Sequence, residues 1–348
     1  MHRGRLSVIG CKSGRLFSVR MCRAIVDGFR RRYPGPGPSP DSERVSVPVT
    51  ERIFPNGEVK VVVNGNIRGN DVYVVQSVVD PLSHRSVNDN LMAVLTAINA
   101  AHQSDAENIT AVLPYFPYSR QERKKTREAI TAAQIARFLE ESGVDRVITL
   151  DIHAEAIAGF FRKASLENLH ASAALIPCFL GLYPRPHPDK TLAVVSPDVG
   201  SANRARYFSK ALKCTLAIGD KERDYGTGGR IVGMRLVGRV RRRDVLIVDD
   251  IIDTGDSMAK IIRAVKAAGA VDVYAACSFA FLNGPAIGLF DELHAEGHLK
   301  CLIGTDAVYR GRRFAELHPW YREVSVAPLF AEVISRINLK QSVSELLK

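Results

Sequence analysis

Short β-rich apolar runs recur along the chain, and the segments between them carry a helical period instead. The runs lie at residues 72–75, 111–113, 147–150, 192–195, 216–218, 245–248 and 273–276 and predict strands. Between them, Leu91, Val94, Leu95 and Ile98 mark one helical face at i, i+3, i+4 and i+7, and Met258, Ile261, Ile262 and Val265 mark another. The second helix should stop at Gly269, a residue suited to the left-handed position after a helix C-terminus. Near the start, RLSVIG reads as a strand and residues 17–29 as a helix. Strand–helix alternation of this kind predicts an α/β fold with mostly parallel sheets.

The pattern also echoes itself. DVYVVQSVVD, from Asp71, leads to DNLMAVLTAINAA and then to TAVLPYF; DVLIVDDIID, from Asp244, leads to GDSMAKIIRAVKAAGA and then to DVYAACSFAF. We therefore expect two similar α/β domains, at residues 1–167 and 168–325, with a tail at 326–348 packing back on the first. PGPGPSPDSE reads as a surface insert between early elements, and HPDK, around His187, as a loop early in the second domain.

Composition narrows the picture modestly. A chain of 348 residues with 46% apolar and 24% charged residues is ordinary globular material for about two domains. No apolar run approaches the roughly 18 residues of a membrane span, so no membrane partner is expected. Six scattered cysteines without metal-ligand spacing suit a reducing compartment. The Arg-rich first residues have the composition of a transit peptide, but the strand and helix read within them favour mature sequence. The expected location is the cytoplasm, with organellar import left open. The net charge of +11 suits either a nucleic-acid binder or an enzyme handling several phosphates. The runs Arg30–Arg32 and Arg241–Arg243 lack interleaved aromatics and read as solvated surface, so no nucleic-acid partner is expected.

The chemistry concentrates in VLIVDDIIDTGDSM. Asp249 and Asp250 follow a predicted parallel strand directly, at the carboxyl end where open α/β sheets bind ligands. Asp253, Thr254, Gly255, Asp256 and Ser257 then open a helix, whose N–H groups and neighbouring hydroxyls form a phosphate cradle. Two carboxylates can each accept from the vicinal hydroxyls of a ribose, so the segment fits a phosphorylated pentose. The competing reading is an N-capping Asp followed by a turn. His153 and Asp198 each follow a predicted strand, and an imidazole and a carboxylate at equivalent strand ends suit Mg²⁺ with its waters. Asp151, two residues earlier, is placed to orient His153.

This loop resembles that of type I phosphoribosyltransferases and ribose-phosphate diphosphokinases. RIFPNGEV, NDNLM, PYFPYSRQERK, TLDIHAEAIAGFF, VVSPDVG and DKER, in that order over residues 51–290, resemble the diphosphokinase, as does the closing SVSELL. The resemblance implies two tandem type I phosphoribosyltransferase-like domains. It also implies attack by the anomeric hydroxyl of ribose 5-phosphate on the β-phosphorus of MgATP, giving phosphoribosyl pyrophosphate and AMP for nucleotide biosynthesis. By the same resemblance Lys221 and Arg223 are the catalytic pair. Phe54, Asn56 and Glu58 form the adenine loop, and Arg120, Gln121 and His153 contact ATP. Asp249 to Ser257 hold ribose 5-phosphate, and His153 and Asp198 hold Mg²⁺. Arg68, Arg127, Ser342 and Ser344 match a regulatory phosphate/ADP site, with inorganic phosphate as the activator. The adenine loop of the family serves a neighbouring subunit, which implies a homo-oligomer, commonly a hexamer built from dimers.

Three departures stand out. The phosphate loop reads DTGDS where the family usually has DTAGT, and Asp256 is expected to point outward with only its N–H serving the ligand. The loop after Gln76 is longer than usual, and Asn66 stands where a serine is usual. Two further readings compete: a catalytically silent synthetase-associated subunit, which would carry an insertion near the catalytic loop or lack its cations, and a phosphoribosyltransferase, which would not need the adenine loop, His153 or the Arg120–Gln121 pair.

Overall fold

The computed structural model describes residues 3–32, 45–185, 188–224 and 230–346. PGPGPSPDSE, His187 and Leu347 lie outside them, as do the side chains of residues 220–224 and 230–234. The chain divides into two compact units. The first comprises Met1–His170, Ala307–Tyr309 and Ser325–Lys348, and the second Ala171–Asp306 and Arg310–Val324.

Unit 1 is built on a six-stranded sheet. Its strands are β1 (Leu6–Gly10), β2 (Ser46–Val47), β5 (Asp71–Val75), β6 (Asn108–Val112), β7 (Arg146–Leu150) and β8 (Ser165–Leu169). They lie in the order β2-β1-β5-β6-β7-β8, and all pair in parallel. A separate antiparallel hairpin joins β3 (Val49–Ile53) to β4 (Val59–Val63). Helices α1 (Arg15–Arg32), α2 (Val87–His102) and α3 (Thr131–Glu141) link the strands. The residues read as one face of α2, Leu91, Val94, Leu95 and Ile98, are all buried. That helix starts on a capping box in which Ser86 and Asp89 each accept the other's backbone N–H.

Unit 2 repeats the same winding. Its strands are β9 (Leu192–Ser196), β10 (Thr215–Asp224), β11 (Arg230–Val237), β12 (Asp244–Ile252), β13 (Val273–Ala280), β14 (Cys301–Thr305) and β15 (Tyr321–Val324). The sheet runs β11-β10-β9-β12-β13-β14-β15, and all pairs are parallel except β10 with β11. Helices α4 (Ser172–Leu182), α5 (Ala202–Ala211), α6 (Asp256–Ala267) and α7 (Ala286–Ala295) complete the layers. Without β11, the order β10-β9-β12-β13-β14-β15 matches the first sheet strand for strand, so the sequence echo from Asp71 and from Asp244 marks corresponding strands, β5 and β12. The aspartate that opens each is structural. Asp71 accepts from the Tyr73 hydroxyl at 2.8 Å, and Asp244 from the Tyr183 hydroxyl at 2.9 Å. Trp320 lies fully buried in this unit's core and stacks on Phe290 with ring centres 5.2 Å apart.

Helix α8 (Ala327–Asn338), near the C-terminus, belongs to unit 1. Phe330 meets Phe17 of α1 edge-on at 5.3 Å, and the Asn338 side chain donates to the buried Asp71 carboxylate at 2.9 Å.

Two readings of the sequence need correction. The strand read at 216–218 runs to Asp224, because β11 supplies a partner beyond the point where β9 ends. In the run read as solvated surface, Arg241 and Arg242 are exposed, but Arg243 is half-buried and donates to the Lys190 carbonyl at 2.9 Å.

Candidate active site

In an open α/β sheet the loops part company where the strand order reverses, and the carboxyl ends on either side of that point leave a crevice. In unit 2 the reversal lies between β9 and β12, since the chain passes from β9 to β10 on one side and returns to β12 on the other. The loop after β9 carries Asp198 and Ser201; the end of β12 carries Asp249 and Asp250. Ser201 joins the two sides. Its N–H donates to the Asp198 carboxylate at 3.1 Å, and its hydroxyl donates to Asp249 at 2.8 Å. Arg204, on the first turns of α5, lies 3.9 Å from Asp249 and 3.6 Å from Asp250. The fold therefore brings Asp198, Asp249 and Asp250 into one cluster. Ser201 and Arg204 were missed in the sequence, because VVSPDVG ends at Gly200 and the pairing depends on strand order.

The paired acids are held tightly. Asp250 is buried, and the Asp249 carboxylate accepts from the Asp250 N–H at 2.9 Å. Burial, then the adjacent Asp250 carboxylate, pushes the Asp249 carboxyl well above the usual carboxylate range; Ser201 and Arg204 offset this only in part. Cys277 lies opposite Asp249 on β13, and burial, then these two acids, drives its thiol upward.

The segment after β12 turns sharply. Gly255, with φ of +81°, sits immediately before α6, and a side chain there would approach the Phe290 ring to 3.1 Å. Asp253 accepts from the Asn283 side chain at 2.9 Å, which pins the turn to the end of β13. Thr254 is exposed and Ser257 half-buried, beside the helix N-terminus whose first N–H groups lack intrahelical acceptors. The Asp256 side chain is 64% exposed and paired with Lys260 at 2.8 Å, one turn along the outer face of the helix. Lys260 thus offsets the charge that replaces a glycine.

Lys221 and Arg223 stand on β10 beyond Ile218, where pairing with β9 ends at Ser196 and only β11 continues. Their backbone extends past the carboxyl edge of the sheet, the edge that carries the acid cluster. The side chains lie outside the described residues.

The other predicted residues belong to unit 1. Phe54, Asn56 and Glu58 form the exposed turn of the β3–β4 hairpin, closed by Phe54 N–H to Glu58 O at 2.9 Å and by Glu58 N–H to the Asn56 side chain at 3.2 Å. Arg120 and Gln121 follow β6 and are exposed, on a turn where Tyr118 has φ of +59°. His153 follows the adjacent strand β7, so these residues share one edge of the sheet. Asp151, with φ of +35°, is buried and bonded to the His170 ring at 3.2 Å. The strand ends bearing His153 and Asp198 are not equivalent. β7 corresponds to β14, and β9 corresponds to β1. Among the described residues no three His, Cys, Asp or Glu side chains converge as a metal cluster.

The regulatory candidates are not gathered at one place. Arg68, in the turn before β5, is paired with Asp105 at 2.5 Å. Ser342 and Ser344 line a cavity of about 490 Å³ with Arg3, Arg146 and Lys340, at the amino edge of the same sheet. Arg127 lies on the connection from β6 to α3, which leaves the opposite edge.

Comparison with known proteins identifies the family. A model of the N-terminal domain of ribose phosphate pyrophosphokinase matches residues 41–143, and a phosphoribosyl transferase domain model matches residues 178–288. The ribose-phosphate pyrophosphokinase of Helicobacter pylori is 36% identical over 309 residues, 88% of this chain and 91% of that protein. That of Rhizobium meliloti is 39% identical over 298 residues, 85% of this chain and 91% of the relative. The crystal structure of phosphoribosylpyrophosphate synthetase from Mycobacterium smegmatis superposes with a TM-score of 0.78 at 27% identity, covering 97% of this chain and 99% of that one. With a doubled type I phosphoribosyltransferase fold and relatives this similar along nearly their whole length, the chain belongs to the ribose-phosphate pyrophosphokinase family.

Proposed function

We propose that the chain is a ribose-phosphate diphosphokinase. It transfers the diphosphoryl group of MgATP to the anomeric hydroxyl of ribose 5-phosphate and releases AMP with phosphoribosyl pyrophosphate. The observation that carries this reading is the acid cluster at the reversal point of unit 2, next to the N-terminus of α6. Asp249 and Asp250 accept hydrogen bonds from the sugar's vicinal hydroxyls, and the α6 N–H groups with Thr254, Gly255 and Ser257 take its 5-phosphate. Asp253 holds the turn through Asn283, and Asp256 offers its N–H while its carboxylate stays with Lys260.

The reaction asks for charge neutralisation and alignment more than covalent chemistry. Lys221 and Arg223 supply donors to the oxygens of the moving group. Phe54 stacks on adenine, with Asn56 and Glu58 at its polar edge, and Arg120, with Gln121, takes up phosphate. The Asp198 carboxylate and the His153 imidazole would hold Mg²⁺, with waters and substrate phosphates completing its shell. What supports the carboxylate side is that Asp198 offers a hard oxygen donor, held by the Ser201 N–H, while the Ser201 hydroxyl holds Asp249. When bound, the ion neutralises charge on the triphosphate oxygens.

The working form is a cytoplasmic homo-oligomer built from dimers, up to a hexamer, with inorganic phosphate as activator. Incubating the protein with MgATP and ribose 5-phosphate, with and without inorganic phosphate, should release AMP in proportion to the sugar consumed. Lys221→Ala should lower turnover by roughly 10²-fold or more. No sugar-dependent AMP under any of these conditions would refute the reading.

A further inference from the structure

Unit 1 has a reversal point of its own, between β1 and β5, and it is occupied by the chain itself. The long loop after β5 is shaped by its own hydrogen bonds. Leu82 N–H donates to Asp80 at 3.0 Å, Arg85 N–H to the Ser83 hydroxyl at 3.1 Å, and Ser86 then caps α2. This arrangement turns the Arg85 side chain inward, to an ion pair with Glu51 of β3 in which the two side chains are only 7% and 4% exposed. The other Glu51 oxygen accepts the Lys12 N–H, from the loop after β1, at 2.8 Å. One carboxylate thus ties together the loop after β1, the loop after β5 and the first strand of the hairpin.

The hairpin rests on α2 through β4, and this knot holds its first strand. Two isolated antiparallel strands are at best marginally stable, and β3–β4 is not part of either large sheet. On β4, Val61 is buried. On β3, Arg52 and Ile53 are exposed, and Val49 and Thr50 only half-buried. Glu51 is therefore the anchor of β3, and it stands three residues before Phe54. The Arg85 Nε and second terminal nitrogen are buried and bond to nothing further, so Glu51 is the partner that fixes this guanidinium. A buried pair of this kind contributes little as a pair, but losing one member leaves an uncompensated charge that forces its surroundings to move.

We infer that Arg85 and Glu51 are positioning residues for the nucleotide, holding the β3–β4 hairpin so that its Phe54–Glu58 turn presents a fixed surface to adenine. The inference rests on the proposed adenine role of that turn. Neither residue touches substrate.

The test is steady-state kinetics on the full-length protein with each substrate varied in turn. Arg85→Met should raise KM for ATP on the order of tenfold, as expected when one partner of a buried pair is removed, and leave KM for ribose 5-phosphate within about twofold. Arg85→Lys, which keeps the charge, should recover most of the ATP affinity. Should Arg85→Met not fold, Glu51→Gln is measured in the same way and should shift KM for ATP alone. Phe54→Ala is the control. If it raises KM for ATP while the Arg85 and Glu51 variants leave it unchanged, or if those variants raise both KM values alike, the positioning role is wrong and the adenine reading stands. If Phe54→Ala does not affect KM for ATP, the adenine reading fails and the inference falls with it.

Discussion

Asp249 and Asp250 sit side by side at the end of a strand whose first five residues are all buried, a placement that costs folding energy. For an acid whose folded value lies above its unfolded one, the folded state is the one that holds the proton between the two values. Stability is therefore greatest below the unfolded carboxylate value and falls as pH rises through the folded value. Asp249→Asn removes that penalty. At pH 8 the unliganded variant should be more stable than the parent by about 1 kcal/mol or more, since a tenfold change in proton affinity is worth about that much. The gap should narrow towards pH 5, and thermal unfolding across that range measures it. The same variant should bind ribose 5-phosphate poorly, since the proposed acceptor of the sugar's hydroxyls has been replaced by an amide. Higher stability with lost affinity would identify the pair as a functional rather than a structural feature; a variant destabilised at pH 8 would contradict it.

At the scale of elements, the turn into α6 depends on backbone freedom. Gly255 has φ of +81°, and its missing side chain leaves room for Phe290. Gly255→Ala should cost about 1–2 kcal/mol for the left-handed backbone and weaken ribose 5-phosphate binding by rotating the first N–H groups of the helix. Gly269, after the other end of α6, has φ of +88° and would bring a side chain only against the flexible Arg241. Gly269→Ala should lower the melting temperature without changing KM for ribose 5-phosphate. Equal effects on KM from the two variants would show that helix stability, not the anion-facing end, is what matters.

At the scale of the molecule, unit 1 is discontinuous in sequence. Helix α8 packs on α1 through Phe330 and Phe17 and reaches the sheet through Asn338. Phe330 is fully buried, and Phe330→Ala should cost about 3–5 kcal/mol. Hydrogen exchange should show the loss in β1, β5 and α1 of unit 1 while the strands of unit 2 keep their protection. Uniform loss of protection in both units would mean that they unfold as one.

Local sequence determined what short-range physics can encode. The β-rich apolar runs announced the central strands, the i, i+3, i+4 spacing announced α2 and α6, and a glycine among acids and hydroxyls announced the sharp turn into α6. Strands such as β8, β14 and β15 escaped that reading, because polar residues interrupt SLENL and YREV, and Gly304 and Thr305 cut short the apolar run of CLIGT. Tertiary structure alone decided which distant segments meet. Ser201 reaches Asp249 only because β12 returns beside β9, and Arg204 joins them only because α5 starts at that crevice. Arg85, an ordinary loop cation by its neighbours, becomes buried because the loop after β5 folds over β3. Strand order, and with it the company a charged side chain keeps, follows from burial summed over a whole unit and cannot be read from any one window of residues.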